Sequence, residues 1–164
     1  MEAAAELAAA LLARMDTSPD QVDLTAFHET ADVLVPLRSD GHAVVSTLLG
    51  VDTRAGSRID LGLAAARGEL ASVRHRQASA RAIIVLSAGR FAPAVIASAL
   101  GESRAARAQS TIIVVVGIGP EGDPEALARL AGRPGLFLAS PDAAQLERVA
   151  AGLACSPLAW WPWR

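Results

Sequence analysis

Lysine, asparagine and tyrosine do not occur in the 164 residues, and cysteine occurs once, as Cys155. Without lysine there is no Walker A loop, no Schiff-base amine and no lysine general base. One thiol excludes an internal disulfide framework and a cysteine-rich zinc site, and Cys155 has no base beside it in sequence to activate it. Aromatic residues make up only 4% of the chain. No apolar run reaches the roughly 18 residues of a membrane span, because Arg, Glu or Gly interrupts the longest stretches. All positive charge is arginine. The net charge of −2 argues against a general binder of nucleic acid or anionic membrane.

What is present is alanine, at 36 positions, within a hydrophobic fraction of 52% and a charged fraction of 20%. The codons of Ala, Arg and Gly are GC-rich, so this composition points to a high-GC bacterial genome. A sizeable core is expected, in one domain rather than two.

Met1 to Met15 reads as a helix that begins at once, and Glu2 and Glu6 with no basic start speak against a signal peptide. Val22–Phe27 and Ala31–Leu37 read as a hairpin across His28-Glu29-Thr30. Asp40 starts a short helix ending at Leu49. A polar loop over 52–57 opens a helix from Ile59 to Val73, with Ile59, Leu63, Ala66 and Leu70 on one face. A βαβαβα pattern follows. Its strands are Ala82–Leu86, Thr111–Val116 and Leu136–Leu138; its helices are Ala92–Ala108, Pro124–Ala131 with Asp123 as N-cap, and Asp142–Leu153. Such alternation implies a parallel sheet covered on both faces. The last ten residues, 155–164, form a separate tail with Trp160, Trp161 and Trp163. The tail either folds back over an apolar groove or offers an aromatic patch to a partner.

Gly117-Ile118-Gly119-Pro120-Glu121-Gly122 fits a dinucleotide fingerprint, with Asp142 twenty residues further on. Pro120 removes an amide from the loop, the following helix is short, and too little chain remains behind it for a Rossmann domain. His28, His42 and His75 share no ligand spacing. The Arg74-His75-Arg76, Arg81 and Arg90 cluster reads as a surface for an acidic partner or, more commonly for such a run, as a solvated helix end.

Several segments together resemble a von Willebrand factor type A domain. Asp20 to Phe27 and Ala31 to Asp40 resemble the family's second strand, hairpin and third strand. Gly56-Ser57-Arg58-Ile59-Asp60-Leu61-Gly62-Leu63 resembles its Gly-Thr-x-Ile-x-x-Gly-Leu loop and helix. Ile83 to Gly89 resembles its Val-Leu-Leu-Thr-Asp-Gly strand end, and Ile113 to Gly119 with Asp123 to Leu127 its Val-x-Ile-Gly-x-Gly strand and helix. The ending Ala154-Cys155-Ser156-Pro157 is similar to that of some bacterial members.

The resemblance implies a three-layer, doubly wound, Rossmann-like α/β fold with a mostly parallel sheet and one antiparallel edge strand. It also implies a protein-binding function without catalysis. The family's metal-ion-dependent adhesion site takes ligands from a D-x-S-x-S loop, a Thr and an Asp. Here the central first strand and its D-x-S-x-S are missing, Ala88 stands at the Asp position, and Ser57 at the Thr position is the one remaining ligand. The site is therefore degenerate. No cofactor is expected, and Mg²⁺ only if the missing N-terminal loop is supplied. An in-frame upstream extension carrying that strand and motif is expected. Relatives often face the cell exterior, yet this sequence shows no export signal. The missing strand would force its flanking strands together or leave a slot of unpaired backbone, which leaves three outcomes: the chain is a fragment whose start site is placed too late, the sheet closes over five strands, or a partner donates the strand.

The partner is expected at the carboxyl edge of the sheet, on Asp52, Arg54, Ser57, Arg58, Ser87 and Arg90. There guanidinium groups would meet a partner carboxylate, unless they pair with Asp52, Asp60 and Glu102 of the chain itself.

Overall fold

The computed structural model describes residues 9, 12–13, 20–51, 56–77, 79–88, 90–119, 122–141, 144–145 and 148. Most of the expected helices at 1–15 and 142–153, together with Asp52, Arg54, Cys155 and the tryptophan tail, lie outside the described residues.

Val22–Phe27 forms β1 and Ala31–Arg38 forms β2, paired antiparallel from Phe27 opposite Ala31 to Val22 opposite Arg38. The Asp40 carboxylate accepts the Ala43 amide at 3.2 Å and so starts α1, Gly41–Leu49. Helix α2, Ile59–Leu70, buries Ile59, Leu63, Ala66 and Leu70, the apolar stripe read from the sequence. It ends three residues before the expected Val73. Val73 is wholly exposed, so a further turn would bury nothing. The Ser72 hydroxyl also takes the Arg74 amide, a local bond that competes with the helix.

Three further strands make a parallel sheet in the order β3–β4–β5: β3 is Arg81–Ser87, β4 is Thr111–Gly117 and β5 is Phe137–Ala139. β3 and β4 pair in full register, Arg81 opposite Thr111 through Ser87 opposite Gly117. Helices α3, Pro93–Ala108, and α4, Pro124–Ala131, connect them and pack on β4. Ile113, Val114 and Val115 are wholly buried, as a β-branched run in a central parallel strand should be.

Of the three outcomes open for the interrupted sheet, closure over five strands does not occur. Among the described residues the hairpin and the parallel sheet are separate ladders, and β1 pairs with β2 alone. Their directions still match. α2 starts where β1 ends and returns to the β2 terminus beside Val22, where Glu69 accepts the Leu37 amide. β3 then sets off from the same end, parallel to β1. Gln21 fixes this alignment by donating to the Arg74 carbonyl and accepting the Arg76 amide, both at 2.8 Å. α2 packs on β1, β2 and β3, so side chains join the two halves.

Candidate functional site

The strand ends define one edge. The Ile118 amide donates to the Ser87 carbonyl at 2.9 Å, and the Ser140 amide to the Gly117 carbonyl at 2.7 Å, so the ends of β3, β4 and β5 are stitched together. At the end of β1 the His28 carbonyl accepts the Arg58 amide at 2.8 Å, which pins the loop entering α2. Gly56 makes that approach possible. Its φ is +122°, and a Cβ there would lie 2.4 Å from the Glu29 nitrogen.

Charge on this edge is internally balanced. The Arg58 guanidinium grips Asp60 as a two-pronged fork, Nε to Oδ1 and an Nη to Oδ2, each at 2.8 Å. Arg58 holds the Asp60 carboxyl below the usual carboxylate range. This outweighs the cost of burial, and Ser98 on α3 adds a further hydrogen bond. Arg58 is raised in turn by the same bond. Glu102, another candidate partner for the edge arginines, is taken by Arg67 at 2.8 Å. Ser57 is half-buried in the loop entering α2, Ser87 is buried at the end of β3, and Arg90 is exposed just beyond it. Ser57 and Arg58 thus lie in the loop entering α2 beside the end of β1, and Ser87 and Arg90 at and just beyond the end of β3.

The same residues fit a divalent cation poorly. Ser57 offers one hydroxyl, Ala88 offers no donor, and the Asp60 oxygens are occupied by Arg58. Among the described residues no group of three or more His, Cys, Asp or Glu side chains is placed to share an ion. Mg²⁺ usually requires at least one carboxylate.

Residues 1–151 match the family model of the von Willebrand factor type A domain. The chain belongs to this family. Its fold also matches solved structures at low identity. BatB from Bacteroides thetaiotaomicron superposes with a TM-score of 0.75 at 19% identity, over 94% of this chain and 88% of that one. The vWF domain of the type V pili tip protein Mfa5 from Porphyromonas gingivalis gives 0.76 at 12% identity, over 93% and 86%. Proximal thread matrix protein 1 from the mussel byssus gives 0.73 at 19% identity. There the match covers 93% of this chain but only 39% of the longer protein. No curated protein sequence matches the chain.

In this vWA domain the glycine-rich loop begins at a strand end. Gly117 closes β4, and the Asp123 carboxylate accepts the Ala126 amide at 3.0 Å. The start of α4, where a pyrophosphate would sit, already holds an anion of the chain itself. Pro120, Glu121 and Asp142 lie outside the described residues.

Arg74 and Arg76 are exposed past the end of α2, as a solvated helix end should be, and are also hydrogen-bonded to the fold. Arg74 donates to both Glu69 oxygens, at 3.2 and 2.5 Å, and Arg76 reaches the Ser39 hydroxyl at 3.1 Å. Arg74 foremost, with the Leu37 amide, lowers the Glu69 carboxyl. The reason is the early end of α2, which swings Arg74 back over the last turn. The His75 Nε2 is buried there with no partner among the described residues.

Sequence reasoning missed a third feature. Arg104 and Arg107 on α3, with Arg129 on α4 and Arg133 just past it, converge on one groove. Helical spacing within each pair was visible, but the meeting of the two helices was not.

Proposed function

We propose that this vWA domain is a non-enzymatic protein-binding module that works without a metal at its carboxyl edge. Domains of the family are in general adhesion and protein-interaction modules. The observation that supports a metal-independent version is the Arg58–Asp60 fork in the stretch that follows Ser57, together with Ala88 just past the end of β3. Arg58 keeps the Asp60 carboxylate, the acid nearest to Ser57 in sequence, paired within the chain. The edge then meets a partner through its own polar groups, with Arg90 exposed and Arg58 anchored. Mg²⁺ would enter only with ligands supplied by residues outside this sequence.

Recovery of partners from a high-GC bacterial lysate tests the edge. Wild type should retain proteins that the Arg54→Ala/Arg90→Ala variant loses. Identical recovery by both would remove this edge as the binding surface. Stabilisation of the chain by Mg²⁺ or Mn²⁺ in a thermal-shift screen would favour a metal-dependent adhesion module instead.

A further inference from the structure

The seam between α3 and α4 is an open groove that begins beside the edge loops, at Phe91, Pro93 and Asp123, and continues along the two helices. A cavity of about 520 Å³ near the start of α3 runs into one of about 710 Å³ beside the end of α4. The floor of the larger cavity is apolar, with Leu100, Ala128, Pro134 and Phe137, and its walls carry Arg104, Arg107, Arg129 and Arg133.

Arg107 is fixed. Its guanidinium donates to the Ser103 hydroxyl at 2.6 Å and to the Leu130 carbonyl at 2.8 Å. Ser103 is wholly buried and itself donates to the Leu130 carbonyl at 2.7 Å. The left-handed Gly132 leaves room for this arginine, since a Cβ there would stand 2.7 Å from its Nη1. Arg107 therefore has a structural task, closing the last turn of α4.

The other three arginines have no such task. Arg104, Arg129 and Arg133 are exposed, and no ion pair among the described residues uses them. Elsewhere in the chain Arg38, Arg58, Arg67 and Arg74 each hold a carboxylate. Burial lowers Arg107, and Arg104 and Arg133 lower it further, the mark of like charges crowded together. Such crowding costs free energy that an incoming anion would offset.

We propose that this groove binds an acidic peptide segment of a partner protein. Its carboxylates would meet Arg104, Arg129 and Arg133 in bidentate geometry, and its intervening apolar side chains would lie on the Leu100–Phe137 floor. Carboxylates suit the planar arginine fork. A dense phosphate polymer suits the groove less well, because it has no apolar groups to lie on the floor. This surface is independent of the reading of the carboxyl edge, and either can fail alone.

The test is fluorescence anisotropy with a short labelled peptide alternating Glu and Leu, titrated with the full chain at low salt. Saturable binding is expected, weakening steadily as salt rises. The Arg104→Gln/Arg129→Gln/Arg133→Gln variant should bind on the order of tenfold more weakly. Should the triple variant not fold, Arg129→Gln alone, on the exposed side of α4, should weaken binding severalfold. A peptide with Gln in place of Glu should not bind, and Arg38→Gln, in the hairpin, should bind like wild type, which separates this groove from general charge attraction. Equal binding by wild type and the groove variants would overturn the proposal. So would tighter binding of a DNA oligonucleotide or of phosphatidylserine vesicles than of the peptide.

Discussion

At the scale of single residues, the Arg58–Asp60 fork shows where sequence reading stops. Two side chains two apart on a helix do not face each other. Arg58, however, is the N-cap residue, with φ −82° and ψ 62°, outside helical geometry, and its side chain can swing back over the first turn. Gly62 was readable as a family glycine, but its reason lies in the packing. A Cβ there would stand 2.8 Å from Cδ1 and 3.1 Å from Cβ of Phe27. Neither is the free end of a flexible chain, so Gly62→Ala should destabilise the domain by about 1–3 kcal/mol in urea unfolding. His75 carries a pH prediction. Burial foremost, then Arg81, pushes its imidazole below the ordinary 6.5. As pH falls through that value the unfolded chain takes a proton the folded chain refuses, so stability should decline. Asp60 and Glu69, both lowered in the fold, extend the loss below the ordinary carboxylate range near 4. His75→Leu should flatten the slope between roughly pH 7 and 5 in thermal melts and cost little at pH 8, since the buried Nε2 has no bond to lose. An unchanged slope would place the titration elsewhere.

At the scale of elements, boundaries were legible because caps and periodicity are local. Asp40 and Asp123 begin their helices where expected, and the hairpin turns at His28-Glu29-Thr30. The early end of α2 was not legible, because it depends on Val73 having nothing to pack against and on the local Ser72–Arg74 bond. Nor was the fate of the interrupted sheet, since pairing between distant strands depends on contacts no window of sequence contains. The separate ladders make a specific prediction for hydrogen exchange. β4 is paired on both sides along Val115–Gly117 and should be protected throughout that stretch. In β1 and β3, alternate amides should exchange much faster, those facing away from β2 and from β4. Uniform protection along β3, measured residue by residue by NMR, would mean that something closes its open side.

At the scale of the whole molecule, the fold class followed from alternating strands and helices, and the family from the order of several weak motifs. The surface was less legible: the arginines that crowd between α3 and α4 are ordinary helix positions until the two helices meet. Isothermal titration of the chain with Mg²⁺ or Mn²⁺ at millimolar levels should show no one-to-one site, and Ala88→Asp alone should restore little affinity. A stoichiometric heat would contradict the metal-independent reading. The bridging of the hairpin and the parallel sheet by α2 also bears on mechanics. In a continuous sheet, a pull that slides two strands past each other loads many backbone bonds at once, and the sheet resists until all fail together. Here, among the described residues, a pull between β1 and β3 loads side chains against a helix. Those contacts slip one by one under modest force, so the domain should yield as a soft joint between two stiff plates.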